Sequence, residues 1–466
     1  MRRLAWPILG LMLAGCASLS EDARFGPVEQ AVQERTGAQT KWVRSDAQGD
    51  SVRGRVKELL AQPLSPENAV QIALLNNPGL QAGYAQVGIA EADLVQASRW
   101  RGPTFSFARL RRGDETEYER SVFFDVLGLI TIPLSVRVEQ KRLAGAQQRA
   151  AAEGLRVALD TRKAWFSAVA AQESAKYAAQ VKEAAEASAE LARRMAAAGN
   201  FSKLDQAREQ AFYAEATTQL ARAQQEERAA RERLVRLMGV WGEGLSFRLP
   251  ERLPELPKAA REAGGDLEAQ ALGQRLDVQA ARRDTEGLAE SLGLTKINRF
   301  VSLLEFGVLS SSETGEPRQR GWEIELGIPI FDFGQARSAR AERLYMQAVS
   351  RTAETAIQAR SEVRQSYGAY RTAFDVAQHY RDEIVPLRKR ISEEMLLRYN
   401  GMLASVFELL ADSREQVAAV NAYIESLRDF WLAETDFQMA LTGRSPGSAQ
   451  TMRTASPAAA SAAGGH

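Results

Sequence analysis

With one cysteine, Cys16, in 466 residues, the chain can form no intrachain disulfide. It has two histidines, His379 and His466, no nucleophile motif and no Gly-rich phosphate loop. Nothing in it therefore points to an enzyme, a cofactor or a metal centre, and His379 reads as a helix-face residue. Basic and acidic side chains number 60 and 59, so there is no nucleic-acid footprint. After the N-terminal segment, no stretch approaches the ~18 consecutive apolar residues of a membrane helix. Glycine and proline are missing from Leu155 to Ala198, a gap that excludes the frequent turns of a compact globule.

The one cysteine sits at an informative place. Met1-Arg-Arg-Leu-Ala-Trp6 is basic, Pro7 to Ala14 is apolar, and Leu13-Ala-Gly-Cys16 follows. This is a secretory signal ending in a lipobox, so residues 1–15 are expected to be removed and Cys16 lipidated. An ordinary signal peptide with a chance cysteine is the alternative. Ala17, where an Asp would favour inner-membrane retention, favours the outer membrane.

The chain is also built twice. Each copy runs amphipathic helix, strand pair, long Ala-rich helix, glycine turn, long return helix. The first strand pair is expected at Thr104 to Leu110 and Ser121 to Ile132, ending in Ile130-Thr-Ile-Pro-Leu134. The second ends in Ile328-Pro-Ile-Phe-Asp-Phe-Gly334. The helical turns fall at Gly199-Asn-Phe-Ser202 and Gly401-Met-Leu-Ala-Ser405, and related phrases follow, Ala207-Arg-Glu-Gln210 and Ser413-Arg-Glu-Gln416. Residues 66–248 and 266–444 are the two repeats, with 16–65 before them. A Pro-rich linker, 249–265, separates them, and an Ala/Ser/Gly-rich tail, 445–466, is expected to be disordered. Short helices are expected at Val28 to Glu34 and Val52 to Ala61.

Trp322 to Ile330 alternates strictly. Trp322, Ile324, Leu326 and Ile328 share one face, and Glu323 and Glu325 share the other. Ser302, Leu304, Phe306 and Val308 form the matching face of a partner strand, with Glu305 and Gly307 opposite. An aromatic and aliphatic face towards lipid and an acidic face towards water suits a membrane strand; a soluble sandwich is the alternative. Phe123, Leu127 and Leu129 break the alternation in the first pair. Polar loops are expected at Arg111 to Arg120 and Ser311 to Arg320. Four strands cannot close a membrane barrel, which takes at least about eight. An open edge in lipid costs several kcal/mol per unsatisfied backbone group, so several chains would have to share one barrel.

The helix from Leu155 to Ala198 would extend about 65 Å. The second copy's counterpart runs from Gln335 to Asn400, interrupted by Gly368 and Pro386. A coiled-coil spacer is the plain reading of these helices alone. Ser202 and Ser405 each precede an acid by three residues, Asp205 and Glu408, as in a capping box. Glu209 and Asp412 stand one turn on. Cap chemistry accounts for these acids; the alternative is that some face a central opening. Met395 and Met402 could touch a soft metal, but gap-filling is the simpler role.

The duplication, Ala73-Leu-Leu-Asn-Asn-Pro-Gly-Leu80, Ile328 to Gly334, Ile384-Val-Pro386 and Arg398-Tyr-Asn-Gly401 together resemble the TolC-like outer-membrane efflux proteins, in their lipoprotein branch. The resemblance covers about Pro66 to Gly443. It implies a mostly helical α+β chain whose trimer closes a 12-stranded barrel and a long periplasmic helical tunnel. It further implies a periplasmic adaptor, an inner-membrane pump that supplies the energy, and passive export of drugs or heavy-metal ions. The same scaffold would also serve polypeptide secretion. The turns at Gly199, Ser202, Gly401 and Ser405 would dock the adaptor. Asp205, Glu209, Arg398, Tyr399, Glu408 and Asp412 would gate the tip, with Arg193 and Arg194 nearby. The tip phrase Tyr399 to Leu410 resembles members linked to heavy-metal or copper export. The first repeat departs from the pattern at Leu134-Ser-Val-Arg137, which lacks the Ile-Phe-Asp-Phe-Gly phrase.

Overall fold

The structure, a computed structural model, describes residues 19–262 and 264–443. The signal segment 1–15, Cys16 and the tail 445–466 lie outside the described residues. The chain divides into two compact units, and each takes segments from both repeats.

The first unit comprises Met1–Val28, Gly83–Ala151 and Leu276–Ile357. It holds β1 (Thr104–Arg112), β2 (Glu115–Asp125), β3 (Leu303–Glu313) and β4 (Gln319–Gly327). They form one antiparallel sheet in the order β1-β2-β3-β4. The two hairpins are thus joined through β2 and β3, while β1 and β4 keep open edges among the described residues.

Two expectations fail here. The strand expected from Ser121 to Ile132 stops at Asp125, and Ile130 to Leu134 is helical. The reason lies in the broken alternation: Leu127, Ile130 and Leu134 recur at helical spacing. Asp125 also accepts the Gly128 N–H through its carboxylate at 2.6 Å, which starts the helix as a cap does. The ten-residue loops are also absent. Gly113 and Asp114 alone turn β1 into β2, with Gly113 at φ 61°, the left-handed backbone that tight hairpins require. Residues 314–318 turn β3 into β4. Polar residues at these ends still alternate, so the strands continue past the apolar rows.

Other helical parts of this unit come from α1 (Gly26–Thr36), α4 (Pro78–Ala97), α5 (Val126–Ala197), α8 (Leu276–Ile297) and α9 (Gln335–His379). Trp100 donates its indole N–H to the Asp125 carbonyl at 2.7 Å and stacks on Phe124, which fixes the sheet's junction with α5. Lys141–Glu286 at 2.7 Å and Arg149–Asp284 at 2.6 Å tie α5 to α8.

The second unit comprises Glu29–Ala82, Ala152–Arg275 and Gln358–His466. It contains α2 (Asp46–Leu60), α3 (Pro66–Asn76), α6 (Lys203–Met238), α7 (Leu267–Gln274), α10 (Val385–Asn400) and α11 (Val406–Thr442). The N-terminal helices are present and somewhat longer than expected. Its core is aromatic: Trp165, Phe166, Tyr370, Phe374, Phe430 and Phe437 are buried, and Phe166 stacks on Trp431 at 5.1 Å. The Pro-rich segment lies on these helices within the unit. Leu253 and Leu256 are buried, and the Pro254 carbonyl accepts the Trp431 indole N–H at 3.1 Å.

The Asn76-Asn77 phrase has a clear physical job. Asn76 and Asn77 donate side-chain N–H groups to the Gly239 and Leu237 carbonyls at 2.8 Å each, satisfying the end of α6. Gly239, at φ 65°, passes so close to Asn76 that a Cβ would lie 2.6 Å from its carbonyl oxygen. In the second repeat a fully buried Arg275 occupies the equivalent break between α7 and α8. It pairs with Glu362 at 2.8 Å and reaches the Ala440 carbonyl at the end of α11.

Between α9 and α10 the chain makes one π turn, Tyr380–Ile384, where the Val385 N–H reaches back to the Tyr380 carbonyl. Pro386, next in sequence, lacks an N–H and crowds the preceding turn, and a wider turn accommodates it without a break.

Candidate pore-forming sheet and helical turns

Register decides which side chains share a face of the sheet. Leu304 pairs with Leu326, Phe306 with Ile324 and Val308 with Trp322; across the other interface Phe306 pairs with Phe124 and Val308 with Val122. Phe105 pairs with Val122. These residues therefore form three apolar rows on one face. Trp322 is 69% exposed, Ile324 56% and Leu326 50%, so nothing among the described residues covers them. A contiguous exposed patch of this kind marks an interaction surface, lipid or protein. Ile328 is exposed on the same side in sequence parity but lies one residue beyond the end of β4.

The opposite face is acidic. Asp125 pairs with Glu305 and Glu305 with Glu325, which makes a row of three carboxylates. Glu323 lies opposite Gly307, where a Cβ would strike the Phe123 ring at 2.5 Å. Like charges side by side in a sheet repel, and water is the medium in which they are tolerated. Among the described residues, no group of three or more His, Cys, Asp or Glu could hold a metal ion. Nor is any helix among them long and apolar enough to cross a membrane.

The two turns differ in detail. Ser202 accepts the Asp205 N–H at 3.1 Å, and its hydroxyl returns a hydrogen bond to the Asp205 carboxylate. Ser405 forms the complete capping box: Glu408 donates its N–H to the Ser405 hydroxyl at 3.2 Å and accepts the Ser405 N–H at 2.7 Å. Those bonds, with Arg398 nearby, hold the Glu408 carboxyl below its ordinary range. The left-handed residue of the first turn is Gly199, at φ 75°, but in the second it is Met402, at φ 61°, not Gly401.

The charged residues at the tips close mostly on their own helices. Arg193 and Arg194 both bind Glu190, whose carboxyl is lowered to about 2 by them. Arg398 pairs with Glu394 at 3.5 Å, and Asp205 with Arg208 at 3.2 Å. Tyr399 is exposed. Glu209 and Asp412, one turn beyond the capping acids, are buried. Glu209 accepts from Ser188 at 2.8 Å and pairs with Arg414 at 2.9 Å. Arg414 also lies over the Phe212 ring. One Asp412 carboxylate oxygen is buried with no hydrogen-bond partner.

Sequence reading missed Arg414, although it stands in the phrase that repeats Ala207 to Gln210. That Arg-Glu phrase is the signal: Glu209 of one copy meets Arg414 of the other, and Arg388 of α10 pairs with Glu415.

No protein family and no curated protein matches the chain by sequence. Solved structures do match its fold. CusC, described in connection with folding and transmembrane channel formation, superposes with a TM-score of 0.68 over 81% of this chain and 92% of its own, at 16% identity. The outer-membrane channel OprN matches with 0.68 over 89% and 95%, at 16%. The open state of the Neisseria gonorrhoeae MtrE outer-membrane channel matches with 0.66 over 80% and 88%, also at 16%. Identity this low carries the fold, and function has to be argued from the sites. This chain therefore shares its fold with solved outer-membrane channels.

Proposed function

We propose that the protein is the outer-membrane channel of a tripartite efflux system, passively exporting small toxic solutes. The observation that carries this reading is the sheet: apolar rows on one face, carboxylates on the other, and an open edge at each side. In lipid, open edges must be paired. Three copies joining β4 to β1 would close twelve strands with the acids inside and the apolar rows outside. Two copies would supply about eight strands, the lower size of membrane barrels, and three supply twelve; the assembly proposed is the homotrimer.

Met402 is 94% exposed and Leu403 82%, on a turn that holds a non-glycine residue at positive φ. Exposed apolar side chains on a strained turn support a docking role for Gly401 and Ser405 towards a periplasmic adaptor, which would link the channel to an inner-membrane pump, and Gly199 and Ser202 are proposed with them as the corresponding turn of the first repeat. Cys16 is proposed as a lipid anchor; fatty-acid labelling that persists in Cys16→Ser would exclude it.

The test is planar-bilayer conductance of the purified protein. Discrete current steps from a trimer are expected. A monodisperse protein that never conducts would leave a structural envelope lipoprotein in place of a channel. Cells lacking the protein should accumulate drugs or heavy-metal ions while secreting polypeptides normally; the reverse outcome would make it a secretion channel.

A further inference from the structure

The lipid-facing side of the sheet, on the reading just proposed, does not stay apolar to its turns. Beyond the row of Phe105, Val122, Val308 and Trp322 comes a row of Phe107, Arg120, Ser310 and Arg320. Arg109, Tyr118 and Ser312 follow, and then Arg111 and Thr116. Arg318, in the turn before β4, donates to the Ser310 hydroxyl at 2.9 Å and so belongs to the same cluster. Every charged strand residue on this face is an arginine. The strand acids, Glu115, Glu117, Glu119, Glu313, Glu323 and Glu325 among them, lie on the other face. Arg109, Arg111, Arg120, Arg318 and Arg320 are all exposed, and among the described residues none of them forms an ion pair.

Two of these side chains are held in place. The Arg109 and Arg120 guanidinium groups lie 5.7 and 6.0 Å from the Tyr118 ring centroid, within cation–π range. Tyr118 in turn packs on Phe107. A ring that fixes the guanidinium plane leaves its N–H edges free for a planar or tetrahedral oxyanion. An aromatic row, then an arginine row with no carboxylate, is the order in which a bilayer presents acyl chains and then phosphate.

We propose that Arg120, Arg318 and Arg320, supported by Arg109 and Arg111, bind the phosphate groups of anionic lipid headgroups in the leaflet nearest the hairpin turns. Charge complementarity selects this occupant, together with direct continuity between the arginines and the apolar rows: a lipid can satisfy both at once, with its chains on Trp322 and Val308 and its phosphate on the arginines. Arg–phosphate hydrogen bonds are charge-assisted and geometrically selective.

The experiment uses the full-length trimer in phosphatidylcholine vesicles doped with a diphosphorylated glycolipid, or with the same glycolipid stripped of phosphate. Lipid that stays bound on re-extraction is measured by mass spectrometry, and conductance is recorded in the same membranes. Wild type should retain the phosphorylated form preferentially. Arg120→Gln/Arg318→Gln/Arg320→Gln should lose that preference by roughly one to two orders of magnitude, with trimer and conductance intact. Glu323→Gln, on the other face, should leave it unchanged. A conducting triple variant with wild-type lipid preference overturns the proposal alone. So does displacement of the lipid by inorganic phosphate, which would reassign the arginines to free anions. Dissociation of the triple variant's trimer without lipid would assign them to contacts between copies, also against the proposal. Wild type that neither conducts nor retains lipid overturns both this proposal and the membrane reading beneath it.

Discussion

At the scale of single residues, the two helical turns solve the same problem with different chemistry. Gly199 takes the left-handed backbone at φ 75°, as a glycine can without strain. In the second turn Met402 takes it, although Gly401 stands beside it. An L-residue there costs about 1–2 kcal/mol, and the side chain so placed is almost fully exposed. The caps differ too. Glu408 reaches back to the Ser405 N–H, whereas the shorter Asp205 takes the Ser202 hydroxyl. Because the folded turn holds the Glu408 carboxyl below its ordinary 4.5, this contribution is complete above that value and is lost as pH falls through the depressed one. The protection of the Glu408 and Leu409 amides, taken relative to their intrinsic exchange rate at each pH, should therefore fall below about pH 4.5, and Glu408→Gln should abolish the dependence. An equally steep pH response in Glu408→Gln would detach it from this cap.

At the scale of elements, the sheet and the helix ends separate what pattern reveals from what it hides. β4 was plain in sequence because Trp322 to Ile328 alternates without exception, and its pairing with Leu304, Phe306 and Val308 followed. β2 was obscured by its junction: the apolar run after Asp125 has no polar partner positions, and only the Asp125 cap shows where the helix begins. Arg275 was invisible, since a lone arginine in a polar-looking segment gives no sign that it will be fully buried against Glu362. The burial of Glu209 and Asp412 was hidden for a related reason. Glu209 is held between Ser188 of its own repeat and Arg414 of the other, contacts that spacing along one helix cannot report. Leu326→Arg should cost about 2–4 kcal/mol and reduce trimer yield, whereas Glu325→Arg should assemble normally; quantifying heat-resistant trimer in membranes checks this, and the opposite ranking would reverse the faces. At the tips, Asp205→Ala, Arg398→Ala and Asp412→Ala combined should raise single-channel conductance while the trimer survives. The exposed contacts of Asp205 and Arg398 are worth only about 0–1 kcal/mol each, so those two single substitutions should do little. Unchanged conductance in the combined variant would return these residues to capping and packing alone.

At the scale of the whole molecule, the chain is a duplication in which each repeat supplies two strands and a helical hairpin. The compact units cut across that duplication: both strand pairs enter one unit and both helical turns the other. Repeat boundaries read from sequence therefore describe how the chain is written, not how it packs. The central claim is that copies of this chain pool their strands around water, with Glu325 inside and Ile324 outside. In a Cys16→Ser background, Glu325→Cys and Ile324→Cys channels can be exposed in planar bilayers to a charged, water-soluble thiol reagent while current is recorded. Glu325→Cys current should fall in discrete steps, one for each of three chains, and Ile324→Cys current should not change. Block at Ile324→Cys with none at Glu325→Cys, or a purified trimer that carries no current in either variant or the parent, would contradict that claim.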